Sequence, residues 1–451
     1  MNNKKSFDIN ELCLENNKVS FLRQVSIVLK LSLPGMMAQL SSILMQYIDS
    51  AMVGSLGAAS SASIGLVASS IWLIGSILHG TVIGFTVQVA HSIGAKEKEK
   101  SKNIFFNGFL FCLLLSLIVA LIASSFSFKI PYLLGGKGIV AEEGAWYFLI
   151  FILASPFFEI VYFISGMLQC SGNMKIPGFM NALMCFLDIV FNYLFIFVFD
   201  LGVKGAALGS LVAALFVSVF MAVYVFNFSE YFKIRKDDSC KIDGKCIKQA
   251  LKLAFPVVVE SSAFSGALVV VTRIIAPLGQ ISLAANSFAT TAESLCYMGA
   301  YGIQEAATTL VGQSYGAKQK KLVDSFSFIT VLYGIILMAV GGAVMYFLCP
   351  YIFKFITSDV EIQKLSVEVL RIELFAEPLF GASIVAMGCL RGKGDTLIPS
   401  LLNLFSLWVV RLSLSLILVK PLGLHGIWIA MAVELCFRGI VMMARLAFGK
   451  K

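Results

Sequence analysis

The sequence predicts an all-α polytopic membrane protein: twelve transmembrane helices in two parallel-repeat six-helix lobes around a central cleft. Composition, the spacing of apolar runs and an internal repeat each point to it. Of 451 residues, 58% are hydrophobic and 14% charged, whereas a soluble domain is roughly half apolar and about a quarter charged. The mean hydropathy of +0.88 comes from apolar runs spread from Leu29 to Phe448. A helix needs about 20 apolar residues to cross the hydrocarbon core, so twelve spans take about 240 residues and leave short loops. A large soluble catalytic or nucleotide-binding module is thereby excluded.

Hydropathy and helix breakers place the spans near 29–53, 61–90, 104–126, 145–168, 178–199, 205–227, 252–276, 282–311, 324–348, 366–389, 398–419 and 424–447. Residues 1–24 are polar and the first apolar run is already span-length, so no cleavable signal peptide is visible. The net charge of +9 reports topology rather than nucleic-acid binding. Twenty-five Lys and Arg fall in the two tails and the loops after even-numbered spans, against six in the other loops. The positive-inside rule then puts both termini in the cytoplasm. The expected organisation is a cytoplasmic tail (1–24), an amino-terminal lobe (25–227), a cytoplasmic linker (228–250) and a carboxy-terminal lobe with a short tail (251–451).

A shift of 222 positions superimposes LKLSLPGMM from Leu29 on LKLAFPVVV from Leu251, with Pro34 on Pro256. It also carries Leu56-Gly57 onto Leu278-Gly279, the GAK of Gly94 onto that of Gly316, GMLQCSGNMKIP from Gly166 onto GCLRGKGDTLIP from Gly388, and Asn181 onto Asn403. Further on the shift becomes 221, and LGVKG at Leu201 meets LGLHG at Leu422. Chance matching of apolar strings would not hold one offset across loops. Six spans per half give both halves the same orientation, a parallel repeat about an axis along the membrane normal. Rocking of two such bundles can expose a cleft to each side in turn, a transporter plan; the bland alternative is a duplicated scaffold.

Acids inside the spans weigh against a scaffold, because a charge at mid-bilayer costs at least about 2.5–3.5 kcal/mol on insertion scales. Asp49, Glu159, Asp188, Glu260, Glu293, Glu373, Glu377 and Glu434 all lie within predicted spans. A carboxyl group in a low-dielectric cleft can hold a proton and release it to an arriving cation. Asp188 and Asn192, four apart, share one helix face and can hold a small cation or a proton, with a packing hydrogen bond by Asn192 as the alternative. Glu260 follows Pro256 by four residues, where the proline frees an upstream carbonyl and can open the helix. Glu377 precedes Pro378, with Arg371 and Arg411 as candidate ion-pair partners for the acids of span 10, and Glu434 has Arg438 one turn on. Sodium is a candidate occupant at Asp49, Asp188 and Asn192, or at Glu260.

The remaining chemistry is sparse. His79 and His91 read as packed or interfacial, and the ten cysteines contain no CxxC pair. Cys240 and Cys246 flank a charged loop without a nearby His to support a metal. No Walker A pattern, HExxH or GxSxG occurs, so no cofactor beyond a coupling ion and no enzymatic activity is expected. The 38 Phe, 17 Met and 13 Tyr supply adaptable apolar surface suited to bulky organic cations.

PGMMAQLSSILMQYIDSAMVGSLG from Pro34, the paired GAK loops, GCLRGKGDT from Gly388 and the two-by-six plan together resemble the multidrug and toxic compound extrusion (MATE) family over nearly the whole chain. The resemblance implies an exporter of amphipathic, often cationic, organic compounds driven by inward flow of protons or sodium ions. It implies an amino-half cation site to which Asp49 and Ser210 correspond, Ser210 standing where Thr is usual. In span 5 the family order is Asn then Asp, whereas here Asp188 precedes Asn192. Pro34 matches a proline at which span 1 bends in some relatives, Pro256 being its repeat mate. Glu260 matches a coupling Glu of one branch; at that branch's span 10 Asp this chain has Phe380, with Glu377 about one turn away.

The expected function is a secondary antiporter in a bacterial-type cytoplasmic membrane, acting on small organic cations within the bilayer, without nucleic acid or an obligate protein partner. One rival is a flippase of lipid-linked saccharides in the related superfamily, which would want a basic cleft. A membrane-embedded transferase would need a polar catalytic cluster at an interface, and the Lys/Glu loop 94–102 reads instead as a solvated one.

Overall fold

A computed structural model of the chain describes residues 20–233 and 241–449. The polar tail up to residue 19 and Cys240 lie outside the described residues. Within them the chain is helical, with no strand. The helices are α1 (Phe21–Gly54), α2 (Ala58–Gly94), α3 (Lys98–Ser125), α4 (Gly138–Cys170), α5 (Lys175–Tyr193), α6 (Gly202–Phe228), α7 (Gly244–Ile275), α8 (Gln280–Gly316), α9 (Lys320–Ile356), α10 (Val360–Glu373), α11 (Glu377–Gly392), α12 (Leu397–Phe405) and α13 (Leu412–Phe448).

Nine described helical segments are long and apolar enough to cross a bilayer, or ten if α10 and α11, bent by 58° at their junction, form one span. The other two expected spans have physical explanations. The final segment, Leu397–Phe448, contains a non-helical residue at Gly423 (φ 58°, ψ −133°), which divides it in two. The 37-residue α8 is less apolar than those nine segments because it carries Glu293, Ser294, Gln304, Thr309 and Gln313, all buried within the protein. Its polarity is turned inward, so the twelve-span expectation holds where hydropathy alone gives fewer.

Two compact units emerge. In its described residues the first comprises Leu40–Ser261, and the second comprises the stretch through Gln39 with Ser262 onward. Each unit thus includes the opening part of the other half's first helix. The crossing is alike in both. In the first unit a Cβ at Gly80 of α2 would come within 2.5 Å of Val258, two residues beyond Pro256. In the second, a Cβ at Gly302 of α8 would come within 2.6 Å of the Met36 Cα, two residues beyond Pro34. Gly80 and Gly302 are repeat mates, as are Met36 and Val258. Glycine at both places lets a proline-bearing helix pack against backbone.

The repeat also fixes the turns. Gly57 and Gly279, of the paired LG dipeptides, start α2 and α8 at φ 118° and 97°, a region L side chains rarely enter. The GAK loops end α2 and α8 with Lys96 at φ 62° and Lys318 at φ 57°. Both close in the same way: Glu97 N–H donates to the Ser92 carbonyl at 2.9 Å, and Gln319 N–H to the Ser314 carbonyl at 3.0 Å. The loops after α4 and α11 are tied to equivalent positions near the ends of α6 and α13. In the first, Asn173 Nδ2 donates to the Tyr224 hydroxyl at 3.3 Å; in the second, Arg445 grips Asp395 Oδ2 at 2.7 and 3.0 Å.

Apolar packing supplies each unit's core. In the first, Phe105 stacks on Phe232 at 4.9 Å, amid Phe85, Phe163, Met167 and Met221. The end of the linker is docked there: Asn103 Oδ1 accepts from Lys241 N–H at 3.0 Å, and Asn107 bonds both the Lys241 carbonyl and Asp243 N–H. In the second, Met338, Phe353, Leu370 and Trp428 are buried together, and Trp428 Nε1 donates to Asn286 Oδ1 at 3.1 Å.

Candidate coupling-ion site

In the first unit α1, α5 and α6 bring together four of the side chains expected from sequence. Asn192 is the hub: its Nδ2 donates to Asp49 Oδ1 at 2.8 Å and to Asp188 Oδ2 at 3.0 Å. The four-residue spacing on α5 places Asp188 and Asn192 one above the other, and both are 1% exposed. Asp49 arrives from the far end of α1, and the buried Ser210 on α6 follows Gly209, which packs against Asn192.

Three features outside the sequence reading shape this constellation. A Cβ at Gly209 would overlap the Asn192 side-chain oxygen and come within 2.7 Å of the Asn192 backbone nitrogen, so only glycine lets α6 lie this close to α5. Directly after Asn192 the helix widens into a π-turn at Leu194–Val198, a local irregularity often found at functional sites. Tyr147 of α4 is within electrostatic range of both Asp49 and Asp188.

Hydrogen bonding here is incomplete. Asp188 Oδ1 and Asn192 Oδ1 are buried without a hydrogen-bond partner, and such groups cost about 1–3 kcal/mol each when left unsatisfied. Asn192 Oδ1 faces Gly209, whereas Asp188 Oδ1 belongs to one of two carboxyls held by the same amide, so its vacant valence suits a proton or a small hard cation with oxygen ligands.

The other expected residues lie elsewhere. Glu260 is buried on α7 in the first unit, four residues beyond the buried Pro256. Pro34 and Pro256 both sit inside continuous helices. Glu377 starts α11 in the second unit and is fully buried. Arg371 does not bond the span 10 acids: it donates to the Tyr346 carbonyl at 3.2 and 3.3 Å and stacks on the Tyr346 ring. Glu434 and Arg438 do pair, at 3.1 Å. His79 is packed against the Tyr162 ring at 4.1 Å.

The MatE family model matches residues 34–194 and 256–417, once in each half of the repeat. The chain belongs to the MatE family. Among curated relatives, the probable multidrug resistance protein NorM of Thermotoga maritima is 26% identical over 432 residues, covering 94% of this chain and 92% of the relative. The NorM protein of Halalkalibacterium halodurans is 25% identical, covering 92% of each. Of solved structures, a Vibrio cholerae MATE transporter superposes with a TM-score of 0.90 at 18% identity, covering 95% of this chain and 98% of that one. An outward-facing multidrug resistance MATE transporter does so with 0.90 at 21% identity, covering 96% and 98%. The MatE fold expected from the sequence is therefore the fold of this chain.

Proposed function

We propose that this MatE protein is a multidrug efflux antiporter that exports small amphipathic organic cations in exchange for protons or sodium ions, with Asp49, Asp188, Asn192 and Ser210 as a coupling-ion site. The observation that carries the site is Asn192 bridging two carboxyls while Asp188 Oδ1 and Asn192 Oδ1 remain unpartnered. Multidrug export is proposed from the NorM relatives. Glu260 and Glu377 are assigned to cation or substrate binding, and Pro34 and Pro256 to helix bending.

The chemistry follows from the charges. With neither proton nor cation present, Asp49 and Asp188 repel each other, and an organic cation relieves that repulsion. When a proton or sodium ion takes the same oxygens, the site loses the negative charge that attracts the drug. Binding of one therefore weakens binding of the other, and the coupling is reciprocal. One charge crossing 100 mV supplies about 2.3 kcal/mol, enough to bias release outward. We assign the six-helix halves, residues 25–227 and 251–451, to the two rocking bodies, joined by the 228–250 linker, with the opening part of each half's first helix moving with the other unit. Their setting is a bacterial-type cytoplasmic membrane with both termini inside.

The test is ethidium efflux from proteoliposomes under an imposed pH gradient and, separately, a sodium gradient. The expected result is acceleration by one of them, abolished in Asp49→Asn and Glu260→Gln while insertion is normal. Wild-type rates in both variants would sink the site assignment. Indifference of the folded wild type to both gradients would turn attention to translocation of a lipid-linked saccharide.

A further inference from the structure

The second unit contains a buried charge cluster that the repeat does not duplicate. Glu293 from α8, Glu373 at the end of α10, Glu377 at the start of α11, Arg411 at the end of the π-turn Ser406–Arg411, and Glu434 and Arg438 from α13 are all buried. The repeat mates of Glu293, Glu373, Glu377, Glu434 and Arg438 are Ile71, Phe151, Ser155, Ala213 and Val217. Nothing in the shared architecture requires these charges.

The cluster divides into an ion-paired part, where Glu434 Oε2 still lacks a hydrogen-bond partner, and an unpaired one. Glu434 Oε1 accepts from Ser406 Oγ at 2.6 Å and pairs with Arg438 Nε at 3.1 Å. Arg438 also donates to Asn403 Oδ1 at 2.8 Å and lies over the Phe380 ring. By contrast, Glu373 and Glu377 are 0% exposed, and none of their four carboxyl oxygens has a hydrogen-bond partner. Arg411 Nε is likewise unpartnered, and its Nη2 rests on the Met431 sulfur at 2.9 Å, a poor acceptor for a guanidinium.

Electrostatics nevertheless connects these groups. Glu293 interacts with Arg411, Arg438 and Glu434; Glu373 with Glu293, Glu377, Arg411 and the Cys436 thiol; and Glu377 with Glu293 and the Cys296 thiol. Arg371 is engaged at Tyr346. Four carboxyls against two guanidiniums leave two negative charges if all are ionised, and buried uncompensated charge is what a protein interior does not sustain. Glu373 and Glu377 stand on either side of the break where α10 and α11 bend by 58°, and broken helices are where transporters place their binding groups.

We propose that this cluster is a second proton-binding site, confined to the carboxy-terminal half, in which Glu373 and Glu377 take up the protons and Arg411 is a tethered counter-ion competing with them. With the carboxyls protonated, Arg411 rests on Met431. When the protons leave, its guanidinium turns to the carboxylates and replaces them. Only the coupling of this uptake to export rests on the function proposed above; proton binding itself does not.

The test is an infrared pH titration of the full chain in lipid nanodiscs, following the protonated-carboxyl C=O band in the Asp49→Asn/Asp188→Asn background. The amino-half site is thereby silenced and no transport is read. The expected result is a titrating band that loses intensity with Glu373→Gln and with Glu377→Gln. Arg411→Gln should raise its midpoint by about one pH unit, a roughly tenfold gain in proton affinity. Should Arg411→Gln fail to fold, Met431→Leu serves instead: removing the sulfur rest releases Arg411 to the carboxylates and lowers the midpoint. A band indifferent to both glutamine variants, or a midpoint unmoved in the folded Arg411 or Met431 variant, would overturn the proposal. Loss of the band on replacing choline chloride with sodium chloride would overturn it in favour of a sodium site.

Discussion

At the residue scale, Asn192 is held by α5 and by the absence of a side chain at Gly209. Gly209→Ala is expected to push Asn192 away from both acids. Overpacking of this kind costs about 1–3 kcal/mol, so the variant should unfold at lower temperature in detergent and lose gradient-driven ethidium efflux together. A thermal-shift assay beside the efflux assay checks both, and unchanged melting with full transport would contradict the packing account. The spacing of Asp188 and Asn192 was legible in the sequence because an i,i+4 pair is local. Gly209, Tyr147 and the π-turn were not, because their parts depend on how α4, α5 and α6 pack. Glu373, Arg411 and Glu293 could each be seen as a charge in a span, but their grouping depends on how α8, α10 and the π-turn before α13 pack.

At the element scale, the repeat in the sequence is a repeat in local backbone. The GAK loops place a lysine in the left-handed region at both Lys96 and Lys318, where a residue with a Cβ costs about 1–2 kcal/mol relative to a relaxed conformation. Lys96→Gly and Lys318→Gly are therefore each expected to stabilise the folded protein by about 1 kcal/mol. Equilibrium unfolding in detergent checks this, and destabilisation would show that the lysine side chains form contacts worth more than the strain. The sequence offset located these loops; their handedness needed coordinates. Element bounds were legible where Gly or Pro punctuates them, as at Gly57 and Gly279. They were not at span 10, where Glu377-Pro378 marks a break inside what hydropathy gives as one span from 366 to 389.

At the scale of the whole molecule, composition, hydropathy and the 222-residue offset were enough to give the helical class and the twelve spans, and the resemblance carried by the Pro34 segment, the GAK loops and GCLRGKGDT gave the family. They did not show that each compact unit takes in the opening part of the other half's first helix, since that depends on packing at Gly80 and Gly302. Exchange of an organic cation for a coupling ion implies that binding of one expels the other. The direct measurement is the number of protons, or sodium ions, released when purified protein in nanodiscs is saturated with ethidium. The account predicts release by the wild type and its loss in Asp49→Asn/Asp188→Asn. Ethidium binding that releases neither ion from the wild type, or release undiminished in the double variant, would contradict it.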